Sequence, residues 1–121
     1  MKQPGPDHPI TITPNPKRVR VLVGGTIVAE TTAALILKEA SYPAVQYIPR
    51  QDVQQDLLEP SDRTSHCPYK GDARYFTVTA GGLTKRDAAW SYETPYPAMA
   101  EIAGHVAFYP DRVDAIEELG A

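Results

Sequence analysis

Arg18-Val19-Arg20-Val21-Leu22-Val23-Gly24-Gly25-Thr26-Ile27-Val28-Ala29 carries the strongest strand and turn signals in the chain. Basic and apolar residues alternate from Arg18 to Val21, the period-two pattern of a strand with one face in water. Gly24-Gly25 then offers two residues that tolerate positive φ, as a tight hairpin turn requires. Thr26 to Ala29 is β-branched and apolar, so residues 18–23 and 26–29 are predicted to form a β-hairpin.

Outward from this hairpin the chain reads as short elements joined by turns. Twelve prolines and eight glycines in 121 residues argue for a β-rich fold rather than a helical bundle. Residues 1–9 carry Pro4, Pro6 and Pro9 among polar residues and are predicted as a flexible arm, with residues 10–121 as a single β-rich domain. Strands are expected at 10–13, 45–48, 73–79, 87–93 and 105–109. Residues 33–38 fit a buried strand or a short helix equally. A two-turn helix is expected at 52–58, where Val53 and Leu57 are spaced i, i+4 and Asp52 lies near the positive end. Residues 61–71 read as a polar loop. Helical turns are expected at 97–103, with Pro97 first and Gly104 as the cap, and a short terminal helix at 113–116. The fold class is therefore mainly β with minor α: twisted antiparallel sheets and two or three short helices.

Composition narrows the function classes. A formal charge of −3 gives no basic footprint for nucleic acid. The cluster Lys17, Arg18 and Arg20 reads as a solvated strand face rather than a phosphate site. The single cysteine, Cys67, excludes an internal disulfide and a zinc site built on cysteine pairs. His8, His66 and His105 lack ligand spacing, so no metal is expected. The polar N-terminus shows no leader, no run is long and apolar enough for a bilayer, and a cytoplasmic location is the expectation.

Chemistry concentrates in Ser65-His66-Cys67-Pro68-Tyr69-Lys70-Gly71. Pro68 restricts Cys67 to extended backbone, where neighbouring side chains point opposite ways. His66 and Cys67 should therefore not face each other. Proline at the second position of a turn makes Cys67 its first residue and Lys70 its fourth. An ammonium there could lower the thiol pKa, or bind a ligand's phosphate or carboxylate. The plainer readings are a thiol packed as a small hydrophobe and a solvated lysine.

Downstream, Trp90 and Tyr92 share one strand face by their spacing, and Tyr75 comes close if residues 73–79 pair back across Ala80-Gly81-Gly82. Beside the Lys70 turn these rings would line an apolar pocket with polar tips, or simply form core. His105 shares a face with Ala107 and Tyr109 and reads as structural.

The chain resembles the domain-of-unknown-function family 427, labelled nucleotidyltransferase-like. The resemblance is carried by His8-Pro9-Ile10-Thr11-Ile12, Pro14-Asn15-Pro16, Arg18-Val19-Arg20-Val21, Tyr47-Ile48-Pro49-Arg50, Cys67-Pro68-Tyr69-Lys70-Gly71, Ala89-Trp90-Ser91-Tyr92, Pro95, Ile102 and Ala107-Phe108-Tyr109, over about residues 8 to 118. It implies a small β-tent domain like those of methionine sulfoxide reductase B and glutathione-dependent formaldehyde-activating proteins. Those relatives hold zinc with cysteine pairs that this chain lacks, so neither the metal nor their activities carries over. Nor does the chain show the paired carboxylates that a nucleotidyltransferase needs for its magnesium.

Three functions fit these residues. A ligand-binding module would use Trp90, Tyr92 and Tyr75 as walls, Lys70 and Arg50 against an anionic group, and His66 nearby. An enzyme would use Cys67 as nucleophile or redox centre with Lys70 activating it. A structural module would bind a protein partner or exist as a monomer or homodimer. The cofactor is unknown, and neither nucleic acid nor membrane is expected as a partner.

Overall fold

The computed structural model describes residues 1–120. It holds ten strands in three antiparallel sheets with short 3-10 turns between them, the mainly β fold that the turn-rich sequence implies. The Gly24-Gly25 hairpin forms as read: β2 (Arg18–Val23) and β3 (Thr26–Thr31) pair antiparallel, and Gly24 and Gly25 both take positive φ, at 58° and 77°. β10 (Ala115–Leu119) adds to the other edge of β2, from Ala115 opposite Leu22 to Leu119 opposite Arg18. On the outer face Arg20 pairs with Glu30 at 2.9 Å, as a solvated strand face would.

The second sheet is β1 (Ile10–Pro14), β4 (Leu35–Glu39) and β5 (Val45–Tyr47). Residues 33–38 thus resolve in favour of a strand. The third sheet runs β6 (Leu58–Cys67), β7 (Gly71–Ala80), β8 (Leu83–Ser91), β9 (Val106–Phe108). Its β7–β8 hairpin turns through Gly81 and Gly82, again with positive φ.

Three expectations are corrected. Residues 52–58 are not a helix: 3-10 turns span Arg50–Asp52 and Gln55–Leu57, and Leu58 already opens β6. Residues 61–71 are not simply a loop, because β6 reaches Cys67. β6 is an edge strand, largely exposed, so its sequence carries no apolar alternation to read. Residues 113–116 do not form a terminal helix, because from Ala115 the chain pairs with the open edge of β2. The turns at 97–103 do form, as a 3-10 segment Pro97–Ile102 closed by Gly104 at φ 71°.

The central part of the third sheet packs on both faces. Phe76, Val78, Ala89, Val106 and Phe108 pack against Val19, Val21 and Val23 of β2. The opposite face sends Ala73, Tyr75, Trp90 and Ala107 into a second cluster with Leu37 and Tyr47 of the β1–β4–β5 sheet. The alternation along each strand assigns the two faces. Among the described residues, no helix is long and apolar enough to cross a membrane.

Candidate functional site

The second cluster does not close completely. A cavity of about 160 Å³ remains between the β1–β4–β5 sheet and the inner face of the β6–β9 sheet. Register places its walls. Tyr75 on β7 lies opposite Trp90 on β8, and Trp90 lies opposite Ala107 on β9, two residues before Tyr109. Tyr47 on β5 comes from the facing sheet, with its ring edge-on to Trp90 at 6.3 Å between centroids. Trp90 also sits 4.4 Å from the Tyr109 ring.

The Cys67–Gly71 turn delivers Lys70 to the same place. Tyr96 N donates to Lys70 O at 3.0 Å, and Gly71 takes a positive φ that an L side chain rarely adopts. The Lys70 side chain turns inward and is only 8% exposed as a residue, an unusual position for lysine. Its Nζ lies 5.9 Å from the centre of the Tyr92 ring and donates to Glu39 Oε1. Glu39 stands at the end of β4, on the face of Leu37, and its other oxygen lies 2.7 Å from His8 Nε2. The His8 ring stacks on Tyr69 at 4.0 Å, and Lys2 N donates to Pro68 O at 2.7 Å. The residues ahead of β1 therefore lie against the turn that carries Lys70.

These contacts set the electrostatics. Burial pushes the Glu39 carboxyl up, but hydrogen bonds from Lys70 and His8, with their charges, outweigh it and hold the group below its ordinary value of 4.5. A carboxyl depressed in the folded state stabilises the fold above pH 4.5, and that contribution is lost as pH falls through its lower native value. Glu39→Gln is therefore expected to flatten the acid side of the stability curve below pH 4.5, measured by urea unfolding at stepped pH. An unchanged acid limb would show that Glu39 is not held ionised.

The phenols stay protonated. Burial pushes Tyr47 and Tyr92 up, and Tyr109 rises to about 12 through burial and its hydrogen bond with Tyr75, against the pull of Arg63 and Arg112. They serve as neutral hydrogen-bonding groups. Trp90 Nε1 donates to Tyr47 Oη at 3.3 Å, and Tyr109 Oη to Tyr75 Oη at 3.4 Å. Tyr92 is 5% exposed and its hydroxyl has no hydrogen-bond partner among the described residues. Among those residues the only fully enclosed side-chain polar atom without a partner is Asp87 Oδ1, and Tyr92 is one of the residues that line the cavity.

Of the residues singled out from sequence, Lys70, Tyr75, Trp90 and Tyr92 line this one cavity. Cys67 packs half-buried against the same cluster, and the ammonium of Lys70 bonds to Glu39 rather than to its thiol. His66 points the other way, as adjacent strand residues must, and its Nδ1 lies 2.7 Å from the exposed Asp72. Arg50 is placed elsewhere: it donates to Gly104 O, Ser91 Oγ and Glu93 Oε1, tying the 3-10 turn to the end of β8. His105 is half-buried, with its Nδ1 3.2 Å from Ala103 O.

Sequence reasoning missed Glu39, Tyr47 and Tyr109. The available signal for Glu39 was an acid in period-two register with Leu35 and Leu37. Tyr47 and Tyr109 carried none, because pairing across two sheets brings them in. Among the described residues, no group of three or more His, Cys, Asp or Glu side chains could hold a metal ion.

A search of curated proteins finds no match to this chain. Residues 11–119 do match the sequence profile described as Domain of unknown function (DUF427), and the chain belongs to that family.

Proposed function

We propose that this domain binds a small planar organic ligand in the aromatic cavity beside the Cys67–Gly71 turn. One observation carries the reading. Two donors, the nine-tenths-buried Lys70 ammonium and the Tyr92 hydroxyl, belong to residues that line the cavity and have capacity that the described residues do not use. Lys70 has three N–H groups and, among those residues, a single acceptor, Glu39. Buried polar groups normally find partners, and a ligand's acceptor atom would supply them here.

Size sets the scale. A dry cavity of roughly 150 Å³ accommodates benzene, so about 160 Å³ takes one ring while substituents reach toward solvent. The Trp90 and tyrosine faces favour a flat ring. The sequence suggested that Lys70 with Arg50 would meet an anionic group. Glu39 already neutralises Lys70, and Arg50 lies outside the cavity, so this end favours a neutral group that both accepts and donates, such as an amide.

The test is a pair of melting curves with and without benzamide, on the wild type and on Tyr92→Phe. At a hundredfold excess over its dissociation constant a ligand stabilises by about 2.7 kcal/mol. Tyr92→Phe should leave the unliganded stability within about 0.5 kcal/mol of wild type, since no protein bond is lost. It should weaken benzamide roughly tenfold, the value of one good hydrogen bond. A wild type that benzamide does not stabilise at tens of millimolar counts against the reading. Equal affinity in Tyr92→Phe removes Tyr92 from it.

A further inference from the structure

The groups around the cavity differ in charge. At the Lys70 end the ammonium is matched by Glu39. Next to the Tyr75 and Tyr109 walls, though not among the lining residues themselves, the Arg63 guanidinium lies 4.4 Å from the centre of the Tyr75 ring, and that of Arg112 lies 5.2 Å from the Tyr109 ring. Both tyrosines line the cavity, and their rings run nearly parallel, 6.4 Å apart. Among the described residues, no carboxylate forms an ion pair with either arginine, although acids outnumber Lys and Arg by fifteen to twelve in the chain.

Three hydroxyls at these walls are linked in a chain. Ser65 Oγ lies 2.9 Å from Tyr75 Oη, which accepts from Tyr109 Oη. Arg112 is fixed by donating from Nη1 to the carbonyls of Arg86 and Asp87, at 3.2 and 3.3 Å, which leaves its other N–H groups unused by carboxylates among the described residues. Both guanidinium charges reach the Tyr109 hydroxyl strongly enough to oppose the effect of burial on it.

Guanidiniums and phenol hydroxyls without a competing carboxylate form a donor set suited to an oxyanion. Resting on the reading of the cavity as a ligand site, we infer that Arg63 and Arg112 bind an anionic substituent, carboxylate or phosphate, on the ring that the cavity holds. The ligand class is then a planar ring with an anionic group at the Arg63–Arg112 end and a neutral donor–acceptor group at the Lys70–Glu39–Tyr92 end. This orientation reverses the assignment of the anion to Lys70.

The experiment compares benzamide with 4-carbamoylbenzoate, which adds a carboxylate opposite the amide. Binding is followed by the fluorescence of Trp90, the only tryptophan of the chain and part of the cavity wall. Wild type is expected to prefer 4-carbamoylbenzoate by tenfold or more. The preference should shrink as salt rises and fall to threefold or less in Arg63→Gln/Arg112→Gln, with benzamide affinity unchanged. Arg63→Gln alone, an exposed substitution on the edge strand, should lose part of it and guards against loss of the Arg112 carbonyl contacts. Equal binding of the two probes to wild type overturns the inference and leaves the cavity reading standing. So does a preference that survives both arginine substitutions but vanishes in Lys70→Met. Binding of neither probe overturns the cavity reading and the inference with it.

Discussion

Gly81→Ala is expected to cost about 3 kcal/mol, as the sum of about 1–2 kcal/mol for a left-handed non-glycine residue and about 1–3 kcal/mol for overpacking. Gly81 has φ +57°, and a Cβ there would stand 2.1 Å from the carbonyl oxygen of Gly24. The neighbouring atoms are all backbone of the other glycine turn, so no flexible side chain can move aside. Gly24 is itself anchored, its N–H donating to Asp114 Oδ2 at 2.7 Å. The tips of the β2–β3 and β7–β8 hairpins thus meet backbone to backbone, and only glycine fits at the contact. Gly82 is the internal control. Its φ is +78°, but nothing lies within 4 Å of the point where a Cβ would stand, so Gly82→Ala should cost only the backbone part, about 1 kcal/mol. Chemical denaturation of the two variants decides the matter. Equal losses would show that the hairpin tips can separate without cost.

The second large effect concerns the ion pair under the cavity. Glu39→Leu removes the only acceptor that the described residues offer the Lys70 ammonium, which stays within a side chain 10% exposed. Breaking a buried pair by deleting one partner costs about 3–5 kcal/mol, because a charge is left without compensation. Replacing both partners by apolar residues of similar size is often neutral. Glu39→Leu/Lys70→Met should therefore recover most of the stability that Glu39→Leu loses, with a coupling of at least about 2 kcal/mol in the double-mutant cycle. The double variant should still bind benzamide poorly, since the donor–acceptor end of the cavity is gone. Additive losses in the cycle would mean that the two groups act independently.

How far the sequence disclosed this molecule depends on what each element packs against. The β2–β3 hairpin was readable because alternation and Gly-Gly both describe the chain locally. β6 was not, since an edge strand with wet side chains has no apolar period to display. β10 was hidden for a different reason: Val113 and Ile116 are three apart, the spacing of a helix, and only the open edge of β2 makes the segment extended. The same contrast holds at the cavity. Trp90, Tyr92 and Tyr75 were linked through one hairpin, and Lys70 through its turn, so sequence-local reasoning brought these four together. Glu39 and Tyr47 come from the facing sheet, and Tyr109 follows β9, so long-range pairing alone brings them in. Arg63 and Arg112 lie in stretches read as a loop and as the lead into a helix, where a cation suggests only solvent. Their stacking on Tyr75 and Tyr109 gives them meaning.

A planar ligand that enters between Trp90 and the Lys70 turn must perturb the single indole of the chain. Its Nε1–H, which donates to Tyr47 Oη in the cavity wall, gives one side-chain cross-peak in a nitrogen–proton correlation spectrum. On titration with 4-carbamoylbenzoate this peak should shift saturably, together with the backbone amides of Lys70 and Tyr92, while those of Gly24 and Gly81 at the hairpin tips stay in place. An indole peak that does not move at tens of millimolar, or shifts centred on the hairpin tips instead, would contradict the account.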